Sequence, residues 1–167
     1  MIIRQAKISD LNNIMRMYDS CVKKMISIGV DQWDETYPDS ETIKEDIKSR
    51  TYYVALKKNF IVGGVNIDTI QDKTYLAIDW EDKYNKFLVV HRLAVDGKYW
   101  KNKIGKQLML FAEKKVLNNK LNSIRLDTYS NNPQAIRFYE ILGYKKLGAI
   151  NLKPNKNEYY CFEKIIK

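Results

Sequence analysis

Alternating and periodic apolar positions divide the chain into strands and helices. Ile2–Ala6 alternates as a first strand, and apolar residues then recur at helical spacing from Leu11 to Ile26, between the capping residue Ser9 and the stop signal Gly29. The same patterns predict a short helix from Asp39 or Ser40 to Arg50, and strands over Tyr52–Lys57, Phe60–Ile67, Tyr75–Trp80, Phe87–Val95, Ser123–Tyr129, Tyr144–Ile150 and Glu158–Ile166.

Two short polar or glycine segments refine the early strands. Lys58-Asn59 separates two strand patterns and predicts a tight hairpin turn. Gly63-Gly64 lies inside the second of these strands, where glycine indicates a bulge or a close approach of another group rather than a phosphate-binding loop.

The stretch from Phe87 to Lys115 combines a strand, a basic loop and a helix. The strand closes at the turn signal Asp96-Gly97, and the lysine-rich loop Tyr99–Lys103 follows it. Gly105 stands in the first turn of the predicted helix, and the apolar residues that recur at helical spacing are Ile104, Leu108, Phe111 and Ala112. Because unpaired N–H groups and the positive end of the helix dipole meet at such a junction, we expect an anion site here.

A further helix is predicted after the strand Ser123–Tyr129. Asn132 is a suitable N-cap, Pro133 suits the first helical position, and Gly143 is a stop signal. The residues expected to line its apolar face are Ala135, Phe138, Ile141 and Leu142.

The order of these elements predicts one α/β domain over residues 1–167, with a mixed sheet and helices on both of its faces. The chain has no run of about eighteen apolar residues and no signal-peptide layout at its start, so we expect a cytoplasmic protein that does not enter a membrane. Cys21 and Cys161 lie in apolar contexts, which predicts two buried free thiols.

Two segments carry a resemblance to a known family. Leu93–Val95 followed by Tyr99–Leu108 resembles the acetyl-CoA signature of the GNAT superfamily of N-acyltransferases, Arg/Gln-x-x-Gly-x-Gly/Ala. Trp100 stands at the Arg/Gln position and Lys103 at the first glycine position, so both depart from the usual form. Residues 132–144 are similar to the family's downstream pattern, Asn-x-x-Ala-x-x-x-Tyr-x-x-x-Gly-Phe/Tyr, and the resemblance covers nearly the whole chain.

This resemblance implies a GNAT fold, with a mostly antiparallel central sheet that is splayed between two strands. It also implies that acetyl-CoA binds with its pantetheine arm along the first signature and its pyrophosphate on the loop amides. The residues expected to bind this acyl donor are Leu93, Ala94, Val95, Trp100, Lys101, Asn102, Lys103, Ile104, Gly105, Lys106, Asn132, Ala135 and Tyr139.

Attack of an amine on a thioester requires a neutral amine, stabilisation of the oxyanion and a proton for the leaving thiolate. The resemblance implies that Tyr139 is the acid, whereas the residues alone leave it equally a core aromatic of the helix. A backbone N–H near Leu93 or Ala94 is the expected oxyanion donor. His91 is the only histidine, and its strand resembles that of serotonin N-acetyltransferase, which implies a role in proton removal; alternatively, His91 is a structural residue of the strand. Glu81, Asp82 and a water chain are alternative routes for the proton. Alternation would place His91 on the face of Leu93, opposite Arg92, unless a bulge intervenes.

Aromatic and acidic residues in two segments are candidates for the acceptor pocket. Trp33, Asp34 and Tyr37 lie in the loop after the first helix, and Trp80 and Glu81 precede the central strand. Aromatic walls with carboxylates suit a cationic amine. Trp33 is alternatively a loop anchor, and Asp127 is either a structural partner of Arg92 or an acceptor ligand.

Charge and metal-ligand content exclude other classes. The net charge of +9 comes from scattered lysines rather than from a basic stripe with interleaved aromatics, which argues against nucleic-acid binding and is compatible with attraction of an anionic donor. A single histidine and two distant cysteines provide no metal-ligand spacing. Neither cysteine lies in a sequence context that would activate it as a nucleophile.

Taken together, the residues and the resemblance predict an N-acetyltransferase. It would move an acetyl group from acetyl-CoA to a primary amine of a small molecule or peptide, by direct attack in a ternary complex. The alternative is a GNAT-like sensor or subunit that binds acyl-CoA without turnover, which the departures at Trp100 and Lys103 motivate. A homodimer is left open.

Overall fold

In the computed structural model, which describes residues 1–167, seven strands form one mixed sheet. The strands are β1 (Ile2–Gln5), β2 (Tyr52–Lys57), β3 (Phe60–Asp68), β4 (Phe87–Val95), β5 (Ser123–Tyr129), β6 (Lys145–Ile150) and β7 (Tyr159–Ile165), and the α-helices are α1 (Leu11–Ser27), α2 (Ser40–Lys48), α3 (Ile104–Asn118) and α4 (Pro133–Ile141). The strand order is β1-β2-β3-β4-β5-β7-β6. β4 and β5 are parallel, whereas β1 with β2, β2 with β3, β5 with β7 and β6 with β7 are antiparallel.

Contacts group the chain into two compact units. The first unit comprises Met1–Ile67 and His91–Phe111, and the second comprises Asp68–Val90 and Ala112–Lys167. Both β4 and α3 contribute residues to each unit. The expectation of a single domain stays a prediction.

Helices α1 and α2 of the first unit begin at acidic residues. α1 starts after Asp10, so the prediction that Ser9 caps it is wrong; the Asp10 carboxylate is bound by Arg4 at 2.7 Å and by the Lys7 N–H at 2.8 Å. Asp39 caps α2 by accepting from the Thr42 N–H at 2.7 Å, as one of the two predicted alternatives requires. α1 ends just before Gly29, whose φ of 78° confirms the predicted stop.

The glycine pair of β3 separates two faces of the sheet in the first unit. A β-carbon on Gly63 would lie 3.0 Å from Ile104 and 3.1 Å from Leu108 of α3, whereas one on Gly64 would overlap the hydroxyl of Tyr52. Since successive strand residues point to opposite faces, α1, which bonds that hydroxyl through Tyr18, lies opposite the start of α3. The predicted close approach is confirmed, and the register between β2 and β3 also shifts here.

The β2–β3 connection has the predicted tight turn. Lys58 and Asn59 both have positive φ, 48° and 66°, which is the geometry of a two-residue type I′ hairpin. This turn sets Lys57 opposite Phe60 and Leu56 opposite Ile61, and the register shift between Leu56 and Ala55 then brings Gly63 opposite Ala55.

The second unit pairs Phe87–Val89 of β4 with Ser123–Arg125 of β5, and β7 pairs along the whole of β5. The predicted strand over Tyr75–Trp80 is wrong, because Lys73–Ala77 forms a short 3-10 helix capped by Asp72. Tyr75 and Trp80 both enter one aromatic cluster, and the indole N–H of Trp80 donates to the Tyr75 carbonyl at 2.9 Å. The buried Tyr75 and Trp80 pack in the same cluster from a turn, and their spacing in the sequence resembles the alternation of a strand.

Helix α4 has the predicted ends and a different buried face. Asn132 accepts from the Ala135 N–H at 3.1 Å, Pro133 is the first helical residue, and Gly143 follows the helix with a φ of 84°. Ile141 is 72% exposed, so its assignment to the apolar face is wrong, and Tyr139 is the residue of α4 that is buried.

Candidate active site

The first unit contains the end of β4, which carries the first family signature. Within β4, Arg92 has a φ of 51°, in the left-handed region that non-glycine residues rarely adopt. Ala94 is buried, whereas His91, Leu93 and Val95 are half-buried. The regular alternation expected along this part of β4 is therefore interrupted at Arg92.

Side chains from α1 hold the turn that follows β4. Ser20 donates its hydroxyl to Asp96 at 2.6 Å and accepts from the Gly97 N–H at 3.2 Å. The Asp96 carboxylate also accepts from the Lys98 N–H at 2.9 Å, and the Asp96 N–H donates to the Val62 carbonyl at 3.0 Å. The entrance to the basic loop is thus fixed to both α1 and β3.

Trp100, which occupies the Arg/Gln position of the signature, has a structural partner. Its indole N–H donates to the Val95 carbonyl at 2.9 Å, and its ring packs against the hydrophobic core of the first unit. The tryptophan therefore supplies a hydrogen bond to the last carbonyl of β4 and anchors the loop to the core.

The loop itself has a backbone shape that is usually supplied by glycine. Lys101 and Lys103 have φ values of 67° and 60°, and both are exposed. The Asn102 amide braces the loop by donating to the Tyr99 carbonyl at 3.1 Å. Lys103 thus adopts a left-handed conformation at the position where the family signature has glycine.

The start of α3 suits an anion. Ile104 is buried and fixes the first turn, Gly105 is half-buried, and Lys106 is exposed. Three lysines of this segment, Lys101, Lys103 and Lys106, accompany the N–H groups and positive dipole end of a 15-residue helix. These residues fit the pyrophosphate of a coenzyme A derivative.

Arg92 is held at its side chain as well as its backbone. Its guanidinium donates to both carboxylate oxygens of Asp46, at 2.8 and 2.7 Å, and to the Tyr37 hydroxyl at 3.3 Å. Its carbonyl accepts from the Tyr18 hydroxyl at 2.8 Å, and Tyr18 in turn accepts from Tyr52 at 2.9 Å. The sequence pointed to none of these partners, because they come from separate elements.

The predicted acceptor residues of the first unit lie in the loop between α1 and α2. The half-buried Trp33 packs edge-to-face on Tyr18 with ring centroids 5.7 Å apart, as a loop anchor would. Asp34 accepts from the N–H and hydroxyl of Thr36, at 2.8 and 2.6 Å, and is exposed. Tyr37 is half-buried and contacts Arg92.

Tyr139 is the most distinctive candidate in the second unit. It is 7% exposed, and its ring contacts those of Phe138, Tyr144 and Phe162. Its hydroxyl has no hydrogen bond within the protein, whereas the Tyr144 hydroxyl donates to Glu113 at 3.2 Å. Burial, reinforced by the negative charge of Asp127, raises the pKa of Tyr139, so the phenol stays protonated at neutral pH.

The remaining predicted donor-binding residues of the second unit lie at the start of α4. Asn132 is half-buried and uses its side-chain oxygen as the helix cap, and Ala135 is the residue whose N–H it accepts. On β5, the half-buried Asp127 accepts from the Tyr75 hydroxyl at 2.6 Å, while Arg92 has Asp46 as its carboxylate partner.

The segment before β4 is tied to β5 and β7. Trp80 is 6% exposed and stacks on the Arg125 guanidinium, 4.6 Å from the ring centroid, which is a core position. Glu81 forms a partly exposed ion pair with Lys145 at 2.7 Å. Asp82 is buried and accepts from the Lys86 N–H at 2.8 Å and the Asn122 amide at 2.9 Å. These carboxylates are engaged in structural contacts.

The two cysteines are buried free thiols, as predicted. Burial raises the pKa of Cys21 to about 11 and that of Cys161 to about 12, so both stay protonated at neutral pH. No group of three or more His, Cys, Asp or Glu side chains is placed to hold a metal ion. None of the helices is long and apolar enough to cross a membrane.

Comparison with known proteins agrees with this architecture. The model of the acetyltransferase (GNAT) family matches residues 14–144, which is most of the chain. The chain therefore belongs to the GNAT acetyltransferase family and is an acyltransferase of the class that uses acetyl-CoA. A comparison with curated protein sequences found no match.

Solved structures share the fold at low sequence identity. A GNAT-family acetyltransferase from Streptococcus agalactiae is 21% identical, with a TM-score of 0.84 over 99% of this chain and 95% of that one. PaiA N-acetyltransferase from Thermoplasma acidophilum, in complex with coenzyme A, is 20% identical, with a TM-score of 0.72 over 98% of each chain. The ribosomal-protein-S18-alanine N-acetyltransferase of Escherichia coli is 13% identical, with a TM-score of 0.73 over 99% of this chain and 93% of that one.

Proposed function

We propose that the protein is an N-acetyltransferase that moves the acetyl group of acetyl-CoA to a primary amine by direct attack in a ternary complex. The observation that carries this proposal is the buried Tyr139, at the tyrosine position of the family pattern, with a hydroxyl that bonds nothing in the protein. The ring is buried but the hydroxyl oxygen is not a fully buried atom, so it stays open to solvent and can form a hydrogen bond with a ligand atom.

The donor would be held by the loop after β4 and the start of α3. Lys103 has a left-handed backbone at a glycine position of the family signature, and the lysine charges would attract phosphate. Leu93–Val95 would pair with the pantetheine arm as an added strand does. Acetyl-CoA supplies an activated acyl group, and the protein's residues orient it.

Tyr139 is proposed as the acid that gives a proton to the departing thiolate. Its raised pKa keeps the phenol protonated at neutral pH, which is the state that an acid requires. The Leu93 N–H is proposed as the donor that stabilises charge on the carbonyl oxygen. His91 is proposed to take the proton of the attacking amine; it is half-buried, and Glu81 is the less favoured alternative because it pairs with Lys145.

The acceptor is proposed to be the primary amine of a small molecule or of a peptide. Exposed Asp34 and half-buried Tyr37 in the loop after α1, and half-buried Asp127 on β5, are candidates to receive it. Trp80 is less suited, because its ring is buried against Arg125.

The test of this proposal compares two tyrosine variants. Tyr139→Phe is expected to keep acetyl-CoA binding and to lower kcat about 100-fold or more, which is the usual contribution of a positioned acid. Tyr144→Phe is the control, because it removes a buried hydroxyl from the same aromatic cluster while Lys164 still binds Glu113 at 2.8 Å. Equal kcat values for Tyr139→Phe and wild type would refute the assignment.

Calorimetric titration with acetyl-CoA at physiological salt is the first experiment. A panel of primary amines is then tested for acetylation. Micromolar binding corresponds to about −8 kcal/mol and would support the donor loop. Binding with no acetylation of any amine in the panel would favour the non-catalytic acyl-CoA sensor. Absence of heat and of thermal stabilisation at millimolar acetyl-CoA would refute both the acetyltransferase and the sensor.

A further inference from the structure

We propose that Tyr18 is a positioning residue that aims the backbone N–H of Leu93, acting through the carbonyl of Arg92. This inference rests on the proposed function, in which that N–H stabilises charge on the acetyl oxygen. It assigns a role to a helix α1 residue that lies outside both family signatures.

The need for such a residue follows from the backbone of Arg92. A φ of 51° in the middle of a strand is unfavourable for a residue with a long side chain, and it persists only where surrounding groups hold it. A left-handed residue also turns the following peptide group away from the direction that it would have in a regular strand.

The contact between Tyr18 and Arg92 fixes that peptide group. The Tyr18 hydroxyl donates to the Arg92 carbonyl at 2.8 Å. In a trans peptide the C=O of one residue and the N–H of the next point in opposite directions. Tyr18 therefore directs the Leu93 N–H away from α1.

A second tyrosine makes the donation directional. Tyr52 donates to the Tyr18 oxygen at 2.9 Å, so the Tyr18 proton is committed to Arg92. Tyr18 and Tyr52 are 2% and 0% exposed, so water does not compete for these hydroxyls. Gly64 provides the space, because a β-carbon there would overlap the Tyr52 hydroxyl.

The side chain of Arg92 is fixed at the same time. Asp46 binds the guanidinium with both carboxylate oxygens, and the two side chains are only 16% and 14% exposed. A bidentate arginine–carboxylate pair restricts the orientation of the side chain. The bond from Asp46 of α2 holds the Arg92 side chain in place, and rotation of the Arg92–Leu93 peptide would break the bond from Tyr18 of α1 to the Arg92 carbonyl.

The test uses nuclear magnetic resonance of ¹⁵N-labelled protein. In wild type, the Leu93 amide proton is expected to move downfield with acetyl-CoA relative to CoA, since only the former brings a thioester oxygen. In Tyr18→Phe this difference is expected to shrink, with donor affinity unchanged. Once an acceptor is known, kcat should fall roughly 10- to 100-fold while KM for acetyl-CoA stays constant.

Three further variants separate positioning from general destabilisation. Tyr52→Phe keeps the bond from Tyr18 to Arg92. It is therefore expected to reduce the Leu93 shift difference and kcat less than Tyr18→Phe does. The double variant Tyr18→Phe/Tyr52→Phe leaves no buried hydroxyl unpaired and is expected to retain the defect of Tyr18→Phe in a well-folded protein. Tyr144→Phe removes a comparable hydrogen bond in the second unit and should leave the Leu93 shift unaltered.

The outcomes distinguish this inference from the proposed function. If wild type does not bind acetyl-CoA, the proposed function fails. If it binds and the Leu93 amide does not distinguish acetyl-CoA from CoA, or the difference survives in both Tyr18→Phe and the double variant, Tyr18 does not position that amide. The donor-binding role would then stand without this residue.

Discussion

Two ion-paired strand arginines, the half-buried Arg92 in one compact unit and the buried Arg125 in the other, have similar partners and different backbones. Arg92 pairs with Asp46 and Tyr37, and Arg125 pairs with Glu163 while its guanidinium lies 4.6 Å from the Trp80 ring centroid. Arg125 lies in regular register between β4 and β7, whereas Arg92 has a left-handed backbone. Burial and ion pairing alone therefore do not mark a functional residue.

The difference lies in what each network holds. The network around Arg125 fastens the segment before β4, because Arg125 also donates to the Asp82 carbonyl at 3.0 Å. The network around Arg92 maintains a strained conformation that a regular strand would not need. Such strain is concentrated at functional sites, which is why we assign function to the surroundings of Arg92.

The largest expected effect separates the two arginines directly. Arg125→Met is expected to lower the free energy of unfolding by about 3–5 kcal/mol, because it leaves the fully buried Glu163 without its cationic partner. Arg92→Met is expected to cost less, about 1–3 kcal/mol, because Asp46 retains some exposure to water, and to lower kcat far more. Urea unfolding and kcat measured on folded protein check both, and the reverse ranking would contradict the comparison.

A smaller effect tests Lys103, one of the two left-handed lysines of the donor loop. Lys103→Gly is expected to raise stability by about 0.5–1 kcal/mol, because release of a left-handed lysine outweighs the entropy cost of glycine. Lys106→Gly, on the exposed face of α3, should instead lower stability by about 1 kcal/mol. Thermal unfolding measures both changes, and destabilisation by Lys103→Gly would mean that its side chain has a structural role.

The smallest expected effect is a pH dependence in the network of Arg125. Burial would raise the pKa of Asp82, but hydrogen bonds from Asn122 and from the N–H groups of Lys86 and Tyr84 outweigh it and lower that pKa. A lowered pKa contributes stability that is present above the unfolded value of about 4 and is lost as pH falls through the folded value. The free energy of unfolding of wild type, measured with urea, should decrease as pH falls through that range. In Asp82→Asn this decrease should be smaller. A parallel decline in both proteins would assign it to other carboxylates.

Much of the fold could be predicted because its signals are local. The bounds of β2 and β5 and the caps Asp39 and Asn132 agree with the sequence patterns. The 3-10 helix at Lys73–Ala77 could not be predicted, because Tyr75 and Trp80 are buried by packing in a tertiary aromatic cluster and not by strand alternation. Apolar periodicity reports which residues are buried only when the whole segment faces one partner.

The candidate site divides in the same way. Its donor loop and Tyr139 could be proposed from the sequence, since a family signature fixes residue types at short spacing. The partners of Arg92 could not, since Tyr18, Tyr37 and Asp46 lie 46 or more positions away along the chain. The acceptor residues remain predictions.

The sequence by itself determined the family and the order of the α-helices and of most strands, and it predicts the loop and helix that would bind an acyl donor, because each depends on neighbouring residues. Only the tertiary structure decided that the Trp100 indole donates to the Val95 carbonyl and that the Tyr139 hydroxyl has no hydrogen-bond partner in the protein. It also decided that Arg92 is bound by residues of two helices, α1 and α2. The physical reason is that hydrogen bonds and burial join residues that are close in space, and distance along the chain does not limit them.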